Sequence, residues 1–133
     1  MPKKTVKRRA NIERPFNMGT MSSAAFFGTI RSTLRNTFRY NWEPAKEALK
    51  LASRPNQSAN KRLKTEFQCA HCKKWGARSE CEIDHITECG SLKSYEDIPE
   101  FLKKLLPEDP SAYQILCVGC HKIKTRNYME SKK

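Results

Sequence analysis

With 133 residues, the chain has room for one compact domain and a flexible arm, since single domains commonly run about 100–150 residues. A large buried substrate cleft is excluded on size. Hydrophobic residues make up 38% and charged residues 30%, a globular balance, but a core this small gains from a metal or other staple.

The formal net charge of +12 is unevenly placed: residues 1–62 carry 14 Lys and Arg against Glu13, Glu43 and Glu47, a net +11, whereas residues 63–133 carry 12 against 11, a net +1. A basic half joined to a balanced half fits a segment that grips a polyanion, of which phosphate backbones are the commonest; the plainer reading is solubility. Near the N-terminus the longest apolar stretch, Ala24 to Phe27, is shorter than the roughly 7–15 residues of a secretory h-region. A transmembrane helix fails the same test. The expectation is a cytoplasmic chain with no membrane partner, where closely spaced cysteines favour metal over disulfides.

Residues 1–19 hold Lys3, Lys4, Lys7, Arg8 and Arg9 with almost no apolar anchor, so they read as a disordered basic arm. Residues 20–61 read as a basic helical leader and linker. Within it, Ser22 or Ser23 is a plausible N-cap, and Phe27, Ile30, Leu34 and Phe38 recur at helical spacing to about Tyr40. Arg31, Arg35 and Arg39 fall at i, i+4 and i+8, a cationic stripe suited to tracking phosphates or simply a solvated face. Pro44 suits the first turn of a second helix with Ala45, Leu49 and Ala52 as its apolar strip, stopped by Arg54-Pro55. Residues 55–61 read as a linker.

Residues 62–133 form the remaining domain. Thr65 to Gln68 and Cys81 to Ile86 read as two strands of one β-hairpin carrying a cysteine turn at 69–72. Asp97 to Leu106 has helical character, with Ile98, Phe101, Leu102 and Leu105 apolar and Pro107 and Pro110 beyond its end; a last helix runs from about Gly119 to Met129.

Cys69-x2-Cys72 and Cys117-x2-Cys120 each have the spacing that lets one tight turn present two thiolates to a tetrahedral ion. A structural zinc on all four would fasten the hairpin to the last helix across 44 intervening residues. His71 lies between the first pair and reads as surface; Cys81 and Cys89 lack partner spacing and read as free, partly buried thiols. The remaining signal is Ile83-Asp84-His85-Ile86 on a strand and Cys120-His121-x2-Lys124-Thr125 on the last helix. Neighbouring residues on a strand face opposite ways, so the natural division gives Asp84 to a metal and His85 to water.

In this order and spacing, Cys-x2-Cys, Asp-His-Ile and Gln-Ile-Leu-Cys-x2-Cys-His-x2-Lys-Thr resemble the HNH endonucleases, in particular the short bacteriophage versions, over roughly residues 65–126. The stretch Ser32-Thr33-Leu34-Arg35 through Trp42-Glu43-Pro44 is similar to their helical leader. The resemblance implies an α+β chain with a ββα-metal core and a zinc knuckle. It implies DNA phosphodiester hydrolysis with His85 as general base, and with Asp84 and His121 as ligands of one catalytic divalent ion (Mg2+, Mn2+, Ni2+ or Zn2+). Arg31, Arg35, Arg39 and Lys124 would bind DNA, and the phage likeness implies host-cell cytoplasm and association with a DNA-packaging terminase.

One position departs from the family: its central Asn would stand five residues before Cys117, where this chain has Ala112, and none of the seven Asn lies between His85 and Cys117. Ser111 or Gln114 would have to stand in to hold the general base. The alternative is a zinc-stabilised DNA-binding or packaging accessory protein that has weakened or lost cleavage.

Overall fold

The computed structural model describes residues 12–133. The basic string Lys3 to Arg9 lies outside the described residues. Residues 16–21, spanning the expected end of the arm at 19 and the start of the leader, close a turn in which Phe16 bridges to Met21 and stacks on Phe26 with ring centroids 4.1 Å apart.

Helix α1 spans Ser23–Asn41, capped by the Ser22 hydroxyl accepting from the Ala25 amide at 3.1 Å, which satisfies one of the free first-turn donors. Its apolar stripe meets α3 (Ile98–Leu105). Together they enclose Phe27, Cys89, Leu92, Phe101 and Leu105, with Ile30, Leu34 and Phe38 packed against this cluster. Helix α2 (Glu43–Leu51) opens with Pro44 in its first turn and buries Ala45 and Ala48. Leu49 is only half-buried, because the small residues at 45 and 48 let the helix backbone approach the sheet beneath it.

The chain then departs from expectation at the helix stop, while residues 56–61 of the expected linker hold no helix or strand. Ser53–Pro55 is a strand, β1, paired antiparallel with β2 (Thr65–Gln68), which in turn pairs with β3 (Trp75–Gly76). Pro55 sits at the strand end, where its missing N–H costs no ladder bond. A division of the chain at residue 62 therefore runs through this sheet.

The expected hairpin is also corrected. Thr65–Gln68 does not pair with the second predicted strand; that strand, β4 (Cys81–His85), pairs antiparallel with β5 (Tyr113–Cys117) in the register Cys81↔Cys117, Ile83↔Ile115, Asp84↔Gln114 and His85↔Tyr113. Tyr113, Ile115 and Leu116 are all buried, so β5 lacks the polar-apolar alternation that would reveal a half-exposed strand. Helix α4 (Val118–Ser131) follows β5 directly and contains no buried residue. Behind the sheet, the Trp42 Nε1–H donates to the Tyr113 hydroxyl at 2.8 Å and to the Pro107 carbonyl at 3.2 Å, tying the α1–α2 junction to the start of β5. The fold is thus mixed α+β with two small antiparallel sheets. Among the described residues no helix is long and apolar enough to cross a membrane.

Candidate metal centre and carboxylate–histidine site

The two cysteine pairs come together as the spacing predicts. In the first turn the Cys72 amide donates to Cys69 Sγ at 3.5 Å, and in the second the Cys120 amide donates to Cys117 Sγ at 3.4 Å, so the two turns have matching geometry. Lys73 closes the first turn in the left-handed region, with φ of 66°. All four sulfurs lie within 4.8 Å of one another, and Cys72 Sγ is 3.9 Å from Cys117 Sγ. Four thiolates at about 2.3 Å from a tetrahedral zinc stand about 3.8 Å apart, whereas a disulfide needs about 2.05 Å. The set fits a metal ion such as zinc.

The thiols respond to their crowding in opposite directions. Against the upward push of burial, bonds from the Cys117, Cys72 and His71 backbone draw Cys69 down to about 6. Its neighbour Cys120 is pushed up to about 12, first by its side-chain bond with Cys117 and then by burial and the other thiols. Sulfurs this close cannot all ionise without a cation among them. His71 is exposed, as expected; Cys81 and Cys89 are free but more deeply buried than the expected partly buried thiols, and burial raises both.

A second cluster lies where β4 faces α4. Alternation along β4 sends Glu82 and Asp84 to the α4 side. Asp84 is 6% exposed; its Oδ1 lies 3.5 Å from His121 Nε2, and its Oδ2 accepts from Gln114 Nε2 at 2.9 Å and from the Lys124 ammonium at 2.5 Å. Glu82 Oε2 lies 2.6 Å from His121 Nδ1. An imidazole that donates Nδ1–H to that carboxylate would present the Nε2 lone pair to an ion shared with Asp84. Two donors on a common divalent ion, each about 2.1 Å from it, stand about 3.0–3.5 Å apart, so Asp84 Oδ1 and His121 Nε2 fit one, with Glu82 orienting the imidazole.

His85 points the other way. Its Nε2 lies 2.7 Å from the Leu105 carbonyl oxygen; a carbonyl only accepts, so Nε2 carries the proton and Nδ1 the lone pair. The ring is packed by Phe38, centroids 4.2 Å apart, and by Tyr113 at 5.2 Å. Burial, the dominant influence, holds this histidine below its ordinary value, with the Arg35 charge adding to the effect. His85 is therefore neutral at pH 7.

Neither stand-in suggested for the missing Asn holds it. The Ser111 amide donates to Asp109, Gln114 is committed to Asp84 across the strand pair, and at Ala112 only the backbone acts, its carbonyl accepting from the Ile86 amide at 3.0 Å. Orientation of His85 comes instead from the Leu105 carbonyl and the Phe38 and Tyr113 rings.

The arginine stripe is broken. Arg31 and Arg39 are exposed, but Arg35 is half-buried, its Nε without a hydrogen-bond partner, within electrostatic reach of His85, Glu88 and Cys89. Lys124, expected at DNA, is likewise engaged within the protein. It spans from α4 to Asp84 and donates to the His85 carbonyl at 2.6 Å.

Glu82, Glu88, Phe38 and the Leu105 carbonyl were missed by sequence reasoning. Of these, only Glu82 carried a signal, two positions before Asp84 on the same strand face.

Fold and site define a mixed α+β protein with a four-thiolate centre suited to a metal ion. No family model matches the chain, and neither a curated protein nor a solved structure matches it.

Proposed function

We propose that this chain is a metal-dependent DNA endonuclease of the HNH type, built on a ββα-metal core formed by β4, β5 and α4. The observation that carries the reading is the 3.5 Å approach of Asp84 Oδ1 and His121 Nε2 across the β4–α4 face; His85 follows Asp84 at the strand end, with its Nε2 held on the Leu105 carbonyl. A divalent ion on Asp84 and His121 would supply Lewis-acid charge for the scissile phosphate and the departing 3′ oxygen. His85 Nδ1 would take the proton from water as its oxygen attacks phosphorus and the P–O3′ bond breaks. Its Nε2–H, fixed on Leu105, holds the ring through that transfer. Glu82 would orient the His121 ring, and the four-cysteine centre would tie the β5–α4 junction to the turn at 69–72. Exposed Arg31 and Arg39 on α1 would grip the duplex backbone without reading sequence. A phage terminase as partner rests on the motif resemblance alone.

A second reading, a DNA-binding or packaging accessory protein with weak or lost cleavage, is favoured by two features. Ala112 offers no side chain to pin the strand-to-helix connection, and the Lys124 ammonium already sits on the Asp84 carboxylate. The two readings separate on supercoiled plasmid incubated with the purified chain and Mg2+, Mn2+ or Ni2+, beside an EDTA control. Ion-dependent nicking or linearisation supports the nuclease; DNA retention with no cleavage in any ion favours the accessory protein.

A further inference from the structure

Lys124 makes four contacts from one ammonium. Nζ lies 2.5 Å from Asp84 Oδ2, 2.6 Å from the His85 carbonyl, 3.4 Å from the Ile86 carbonyl and 3.6 Å from Glu88 Oε1. The Asp84 side chain is 8% exposed and that of Lys124 27%, so the pair is formed away from bulk water, where charges act on each other more strongly. The same carboxylate offers its other oxygen, Oδ1, to His121 Nε2. A divalent ion placed there would share one carboxylate with the ammonium, and the two cations repel. Lys124 has somewhere to go. It lines an open groove of about 300 Å³ between the first cysteine turn and α4, and Glu88 Oε1, 3.6 Å away, is a second carboxylate within its reach.

We propose that Lys124 is an internal counter-cation of Asp84 which a divalent ion must displace, and that the displaced ammonium is taken up by a DNA phosphate, so that ion and DNA load together. The inference rests on the reading of Asp84 and His121 as ion ligands. Its logic is linkage: whatever removes the ammonium from Asp84 favours the ion, and the ion, by releasing the ammonium, favours the phosphate by the same factor. Lys124 thereby keeps the free protein from holding divalent ions and reserves ion binding for the DNA complex.

The test measures Mn2+ binding by titration calorimetry on the full chain, with the four-cysteine centre loaded and His85→Ala introduced to prevent cleavage. Parallel samples carry Lys124→Ala, Lys124→Gln or Asp84→Asn, each with and without a short duplex. Lys124→Gln keeps a donor for the His85 carbonyl, so it retains the link between α4 and β4 if the alanine variant is destabilised; melting temperatures are recorded for all. Without DNA, both Lys124 variants should bind Mn2+ at least about tenfold tighter than the chain that keeps the lysine. Duplex should tighten Mn2+ binding to the lysine-containing chain by a similar factor and leave the variants nearly unchanged, with Asp84→Asn giving the background from DNA alone. Equal Mn2+ affinity with and without the lysine, lost in Asp84→Asn, overturns the counter-cation and leaves the nuclease reading standing. Absence of Asp84-dependent Mn2+ binding in every sample overturns both.

Discussion

Removing the ion from the four-cysteine centre should unfasten α4. That helix contains no buried residue, so apolar packing holds it weakly; its other ties are the half-exposed His121–Glu82 pair, worth about 0–1 kcal/mol, and the more sheltered bonds of Lys124 to Asp84 and the His85 carbonyl, all made from one stretch of the helix. The centre joins the turn at 69–72 to the start of α4 across 44 intervening residues. A single cross-link over a loop of that length contributes about 4 kcal/mol of chain entropy. This is a floor, because the ion also organises both turns, and structural zinc in small domains supplies about 10–16 kcal/mol at neutral pH.

Against a total stability of about 5–15 kcal/mol, a loss of 4 kcal/mol should lower the melting temperature by about 12–20 °C for a chain of this size. The assay is thermal unfolding followed by circular dichroism on three samples: zinc-loaded chain, the same chain stripped with a strong chelator, and Cys117→Ser, with metal content measured by mass spectrometry. A melting temperature within about 3 °C of the loaded chain for both altered samples would refute the account of how α4 is held.

Three further outcomes follow from other parts of the structure. Glu66 is 4% exposed and accepts from Arg54 Nε at 2.7 Å while the Arg54 guanidinium lies over the Trp75 ring at 3.6 Å; Arg54→Met should cost about 3 kcal/mol, the low end for a broken buried pair because Arg54 is one-third exposed. Urea unfolding of Arg54→Met/Glu66→Leu should recover most of that loss, and no recovery would mean the arginine acts by packing alone. Burial holds His85 below its ordinary 6.5, so the unfolded chain takes up this proton at higher pH than the folded one. Stability is therefore complete above about 6.5 and falls as the pH drops through that value toward the folded one; urea midpoints between pH 8 and 5 should show a slope that becomes shallower in His85→Phe. On DNA, Arg31→Ala and Arg39→Ala should each reduce the slope of log affinity against log salt by about 0.9, and unchanged slopes would show that α1 does not touch the backbone.

Legibility in the sequence followed sequence separation. The α1 stripe, the Ser22 cap and the proline-stopped helices depend on contacts a few residues apart and were read within one or two residues. The four-cysteine centre is long-range, yet it was legible because thiolate spacing encodes its own chemistry. Strand pairing was not, since β4 meets β5 across the 86–112 excursion, and β5, buried on both faces, reads as an apolar run rather than as an alternating strand. β1 was hidden behind Pro55, which ends a helix and a strand with equal ease. At the site, the opposite facing of Asp84 and His85 followed from strand alternation, whereas His121 as the partner of Asp84 came from the motif resemblance. The lysine bond to Asp84 and the inward turn of Arg35 did not, because a long cationic side chain at the end of its reach has no periodicity to betray where it lands.

The central claim is that His85 removes a proton from water beside an ion held by Asp84 and His121. Its most direct measurement is the single-turnover rate of plasmid cleavage in Mn2+ by the wild-type chain and by His85→Ala, with Mn2+ binding and melting temperature measured on both. Loss of a general base should cut the rate by about 10²–10⁴-fold while ion binding and folding stay as they were. Equal rates in the two proteins, or no cleavage by a wild-type chain that demonstrably binds Mn2+ and DNA, would contradict it.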